Sequence, residues 1–99
     1  MDIITTTLKR RWFVEIVEGR KRIEYREIKP YWTRRLRRVK TPFKLVLRNG
    51  MNPPVPVLTV RIDRIVPSPK GRPRAGIYAL RIGRVLKVEH WDRERSRPR

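Results

Sequence analysis

The chain has 99 residues, of which 38% are hydrophobic, and its 27 Lys and Arg against 9 Asp and Glu leave a formal charge of +18 at pH 7. That length fits one domain and leaves too little apolar material for two cores. Without Cys a disulfide framework, a thiolate nucleophile and a Cys-based zinc or iron–sulfur site are excluded, and a single His excludes a His-rich metal centre.

Residues 3–8, rich in Thr and Ile, read as a short strand. In KRRWFVEIVEG, Trp12, Phe13, Ile16 and Val17 recur at helical spacing, and Gly19 is placed to end the helix. By that phase Trp12 is expected in the core. Residues 21–28 (KRIEYREI) alternate Ile23, Tyr25 and Glu27 against Arg22, Glu24 and Arg26, the pattern of a strand with one apolar face. Pro30 interrupts it, and in residues 31–40 Trp32, Leu36 and Val39 fall at helical spacing among arginines.

Phe43, Leu45 and Leu47 share one face of a further strand, and Asn49-Gly50 then signals a tight turn, since both residues tolerate positive φ. Residues 57–66 alternate Leu58, Val60 and Ile62 with Thr59, Arg61 and Asp63 before changing phase, as they would at a bulge. PSPKGRPRAG, residues 67–76, reads as a charged loop suited to binding. The last long strand covers residues 77–88, with Tyr78, Leu80, Ile82, Leu86 and Val88 in phase and Gly83 where it could coil sharply. The domain is thus expected to span residues 1–90, and the basic tail, 91–99, to fray. These elements imply an α+β fold: a small β-barrel of about five to six strands with one or two short helices, its sheet curved to hide its edges.

Basic residues outnumber acidic ones 15 to 5 in residues 1–50 and 12 to 4 in the remainder, so the excess runs through the whole domain. Such self-repulsion opposes compaction unless an anion neutralises it, which points to a polyanionic partner. Arg dominates over Lys, and guanidinium both forks onto phosphate and stacks on bases, so nucleic acid is favoured over a membrane. No run approaches the length of a spanning helix and the N-terminus lacks a signal-peptide pattern, so a cytoplasmic location without membrane association is expected. Lys9, Arg10 and Arg11 open the first helix, where the dipole disfavours cations unless an anion docks there.

GRKRIEYRE sets Gly19, Lys21, Glu24 and Arg26 in a G-x-K-x-x-E-x-R arrangement. Together with KRRWFVEIVEG before it, YREIKPYWTRRL after it, the strand ending LRNG and the closing GIYALRIG, the chain resembles the ASCH domain family over about residues 3–88, and most of all its small bacterial and phage members. The resemblance implies a PUA-like barrel with a pocket in its mouth beside the first helix, lined by the motif residues and suited to a nucleotide. It implies RNA binding, ribonuclease activity or removal of an acetyl group from the exocyclic amine of cytidine. The amidohydrolase members use a lysine corresponding to Lys21 and a threonine where this chain carries Glu24, so here the nucleophilic hydroxyl is replaced.

Two functions are therefore expected. In the first, RNA, with single-stranded DNA as second candidate, is held by Lys9, Arg10, Arg11, Arg20, Arg34, Arg35, Arg38, Arg48, Asn49, Lys70, Arg72 and Arg74, with Tyr31 and Trp32 as stacking rings and a nucleotide in the Lys21, Glu24 and Arg26 pocket. In the second, the same pocket is a hydrolase without metal or cofactor, Glu24 being paired with Lys21 or Tyr78 as base and acid and Arg26 orienting the carboxylate. A structural ion pair of Glu24 with Arg26 is the simpler alternative, and monomer and homodimer are equally compatible with the sequence.

Overall fold

The computed structural model describes residues 1–67 and 76–99. Strand β1 (Ile3–Thr7) is followed by helix α1 (Arg10–Val17), β2 (Ile23–Glu27), α2 (Pro30–Arg37), β3 (Phe43–Arg48), β4 (Val57–Pro67), β5 (Ile77–Glu89) and two short strands, β6 (Trp91–Asp92) and β7 (Arg97–Pro98). The architecture is α+β. One five-stranded sheet in the order β1-β3-β4-β5-β2 curls into half a barrel, and β6 and β7 form a separate two-stranded ribbon. The charged loop and its Lys70, Arg72 and Arg74 lie outside the described residues.

The apolar alternation of β3 explains why the sheet curls around its contents. Phe43, Leu45 and Leu47 have no exposed surface, and they meet Ile62, Val60 and Leu58 across the antiparallel β3–β4 pair, which also have none. Each such side chain contributes about 1.5–3 kcal/mol by leaving water. The concave face is then covered by α1 through Phe13, Ile16 and Val17, and by α2 through Trp32 and Leu36.

β4 changes phase where expected. Its pairing with β5 shifts register between Thr59 and Val60, between Arg61 and Ile62, and between Ile62 and Arg64, and such bulges bend a strand. The same shifts carry Leu86, expected inside, out to solvent, while Val85 and Val88 pack against the core. Gly83 has a separate reason to lack a side chain: a Cβ there would collide with the Asp63 carboxylate.

Two further expectations are refined. The chain reverses after β3 with Gly50 at positive φ, but the reversal takes the whole of residues 49–56, and Asn49 N donates to Pro56 O at 2.9 Å to close that loop between β3 and β4. The tail carries structure of its own, Trp91–Asp92 pairing with Arg97–Pro98. Trp91 is 4% exposed and its ring centroid lies 5.0 Å from that of Phe13, and Arg93 reaches back to the Val17 carbonyl at the end of α1.

The outer strands of the sheet, β1 and β2, meet through side chains. Arg26 Nη2 on β2 donates to the Thr7 carbonyl of β1 at 2.9 Å, and Arg35 Nη2 on α2 donates to the Thr5 carbonyl at 2.8 Å. Arginines thereby occupy carbonyls that would otherwise offer an open edge for pairing with another chain.

Candidate functional site

Between β1, α1 and β2 opens a cleft of about 1290 Å3, lined by Thr7, Leu8 and Lys9, by Trp12 and Glu15 of α1, by residues 20–27, and by Lys29 and Trp32. Six cationic side chains and three carboxylates line it. Lys21, Glu24 and Arg26 are all among them, so the structure brings together the three residues of the sequence motif.

Local geometry explains how Lys21 arrives there. Gly19, at φ 80°, ends α1, and its N–H bonds to Ile16 O while Arg20 N–H bonds to Glu15 O, the two bonds of a Schellman turn. Lys21 N–H also donates to Glu15 O, at 3.0 Å. The chain leaves this turn straight into β2, with the Lys21 ammonium donating to Ile23 O and lying 4.9 Å from the Tyr25 ring centroid and 5.2 Å from that of Trp12. Rings at that distance attract a cation through their quadrupoles.

Glu24 occupies the buried face of β2, the reverse of the expected alternation, and is only 4% exposed. A carboxylate can be held there because both oxygens are engaged. Oε2 accepts from Arg26 Nη2 at 2.7 Å, whereas Oε1 accepts from Tyr25 N–H at 3.2 Å and stands 3.5 Å from the Lys21 ammonium. Arg26 is fixed in turn by the Thr7 carbonyl and by the Trp32 ring, 5.1 Å from its guanidinium carbon, while its Nε is buried and makes no hydrogen bond among the described residues.

The ring assignments are exchanged relative to expectation. Trp12 lies on the flank of α1, beside the Phe13, Ile16 and Val17 stripe, and is 37% exposed at the cleft with the Arg11 guanidinium 4.5 Å from its centroid. Trp32 is 8% exposed, since α2 presents it with Leu36 to the sheet, and the Arg26 and Arg35 guanidiniums cover its ring. Tyr31 is exposed, edge-on to Trp32 and bonded to Arg35 through its hydroxyl. Tyr78 is tied to Thr33 at 2.6 Å and does not line the cleft.

Of the expected cations, Lys9 and Arg20 line the cleft. Arg20 is committed to Glu15 and Glu18, and hydrogen bonds to Glu15 first and Glu18 second raise its pKa above the ordinary arginine value. Lys9 and Arg22 have no ion pair among the described residues. Arg10 serves α1 from outside the cleft, donating to Asn49 Oδ1 and standing 5.3 Å from the Trp91 ring. Asn49 also donates to Leu8 O at 2.9 Å, so it fastens the β1–α1 junction; neither it nor Arg48 lines the cleft. Arg34 and Arg38 belong to a separate shallow hollow on α2, with Pro30, Thr33 and Arg37.

Sequence reasoning missed Arg22, Lys29 and Trp12 as cleft residues, although GRKRIEYRE contains the first and α1 the last. It did not take as binding residues the cations on the outer face of the sheet, among them Lys44, Arg61 and Arg84, although the period-two alternation already set Arg61 opposite the apolar face of β4. Among the described residues, no group of three or more His, Asp or Glu is placed to hold a metal ion, and no helix is long and apolar enough to cross a membrane. Compared with protein-family models, curated proteins and solved structures, the chain finds no match in any of the three.

Proposed function

We propose that this chain is a cytoplasmic RNA-binding domain of the ASCH type, in which the cleft between β1, α1 and β2 holds a nucleotide of a single-stranded or structured RNA and the cations around it hold the flanking phosphates. The observation that carries the reading is the composition of the cleft: Lys9 and Arg22 without an ion pair among the described residues, and a partly exposed Trp12 ring with the cations of Arg11 and Lys21 gathered around it. An indole offers a base about 1–3 kcal/mol of stacking, and ammonium and guanidinium groups supply the backbone contacts. At about 1290 Å3 the cleft exceeds the 300–1,000 Å3 of a typical small-ligand pocket, and its openness to solvent suits a unit within a longer strand.

Binding is favoured over hydrolysis by the state of Glu24. A general base must come within hydrogen-bond reach of the proton it takes, whereas Glu24 is only 4% exposed and its carboxylate is turned to Arg26, the Tyr25 N–H and Lys21. Glu24 serves as the counter-charge that holds Lys21 and Arg26 in place.

Labelled RNA, single-stranded DNA and duplex, each at two salt concentrations and with chelator, test the proposal. RNA affinity is expected to fall by roughly 0.7 log units per log unit of salt for each phosphate contacted, and Trp12→Ala to weaken it about 5- to 150-fold. A flat salt response overturns the reading. Chelator-resistant cleavage that Glu24→Gln abolishes would replace it with the hydrolase.

A further inference from the structure

The face of the sheet turned away from the core carries cations directly abreast of one another. Lys44 of β3 pairs in register with Arg61 of β4, and Arg61 with Arg84 of β5. One step along, Arg64 of β4 is opposite Arg81 of β5. Residues in register point to the same face, and the buried neighbours Phe43, Leu45, Val60 and Ile62 show that this face is the outer one. Strands stand about 4.7–4.9 Å apart, so three cations in one row are held close together.

Like charges directly opposite each other destabilise a sheet. Only Arg61 of these five has a carboxylate partner among the described residues, Asp63 at 2.6 Å. The remaining four make no ion pair among those residues, so the single Asp63 carboxylate stands among five cations, and an external polyanion would relieve their repulsion.

We propose that this outer face is a second nucleic-acid contact, one that takes the phosphodiester backbone without regard to the bases. The rows contain no ring on which a base could stack, unlike the cleft, and their cations project from rigid strands. A base-paired segment, whose bases are already stacked on one another, is the occupant this chemistry fits. The inference rests on the RNA-binding reading above and adds to it a second site: one chain holds an unpaired nucleotide in the cleft and an adjoining stem on the outer face of the sheet.

The test compares binding of a labelled RNA duplex and of labelled oligouridylate over a salt series, using the unaltered protein, the triple variant Arg64→Thr/Arg81→Thr/Arg84→Thr, and the cleft variant Trp12→Ala. The triple variant is expected to bind duplex with a log-affinity against log-salt slope shallower by up to about 2.7, at 0.9 for each phosphate it no longer neutralises. Its oligouridylate binding should fall less, whereas Trp12→Ala should do the reverse. Because threonine suits a strand and removes repulsion, the triple variant should melt no lower than the unaltered protein at low salt. Arg81→Glu, which places a carboxylate opposite Arg64, is a second route to the same weakening of duplex binding. If both outer-face variants bind duplex with unchanged slope and affinity while Trp12→Ala weakens oligouridylate binding, the second site is overturned and the cleft reading stands. If the unaltered protein binds neither RNA, both fall.

Discussion

Arg26 and Thr7 join the two edges of the sheet: the guanidinium of one edge strand donates to the backbone carbonyl of the other at 2.9 Å, and the same nitrogen holds the buried Glu24 carboxylate at 2.7 Å. One side chain thus closes the half-barrel and neutralises its buried acid. Arg26→Met is expected to cost about 3–5 kcal/mol, the range for breaking a buried pair and stranding its partner. Denaturant midpoints measure it, and a destabilisation within about 0.5 kcal/mol, the ordinary range of surface changes, would show that the pair does not hold the edges.

Glu24→Met should be as damaging as Arg26→Met, because it leaves Lys21 and Arg26 beside each other with only 14% and 18% of their side chains exposed. The double variant Glu24→Met/Arg26→Met is expected to be less destabilised than the sum of the two, since a buried pair replaced by apolar groups is often nearly neutral. A double-mutant cycle reads the coupling directly. Simple additivity would remove Glu24 from the role of counter-charge assigned to it.

Trp91→Ala should unfold more than the tail. Its ring packs on Phe13 of α1 and the Arg10 guanidinium stands 5.3 Å from it, so the change opens a cavity beside the helix that borders the cleft. A cost of about 3–5 kcal/mol is expected, as for large aromatic truncations in cores. Thermal melting of this variant, and of a chain ending at Glu89, checks it; melting unchanged in both would return the tail to an appendage.

Asp63 titrates below the ordinary aspartate range because of its hydrogen bond from Arg61, with partial desolvation opposing and the direct charge attraction adding to it. A carboxyl whose folded pKa is depressed contributes stability that is present above its unfolded value of about 3.9 and is lost as pH falls through the lower folded value. Gly83→Ala would drive a methyl into that carboxylate and turn it away from Arg61. The expected result is an Asp63 pKa that rises toward the ordinary value in the variant, followed by NMR titration. An unmoved titration would mean that the carboxylate does not depend on the gap left by Gly83.

Much of the fold was legible along the chain. The helical stripe of Phe13, Ile16 and Val17, the alternation of Phe43, Leu45 and Leu47, the phase change in β4 and the stop at Gly19 are local patterns, and local patterns decide which face each element buries. The motif residues Lys21, Glu24 and Arg26 were legible as a group for the same reason: residues of one turn and the strand that leaves it cannot be far apart. Errors arose where two faces competed. Trp12 and Trp32 each sat at helical spacing, but only the packed neighbours determine which flank of a short helix meets the sheet and which meets solvent.

Charge, composition and periodicity thus determined the class of the molecule: a curled α+β domain with one apolar face per element and a strongly cationic surface. Tertiary structure decided the placement of a nearly buried Glu24 in the wall of the cleft, the arginine bridge from β2 to β1, the anchoring of the tail by Trp91 and the alignment of Lys44, Arg61 and Arg84 in one row. The division has a physical cause. Periodicity records the preference of each residue for water or for the interior, whereas cross-strand register and side-chain pairing are set by contacts between residues far apart along the chain, which no single segment encodes.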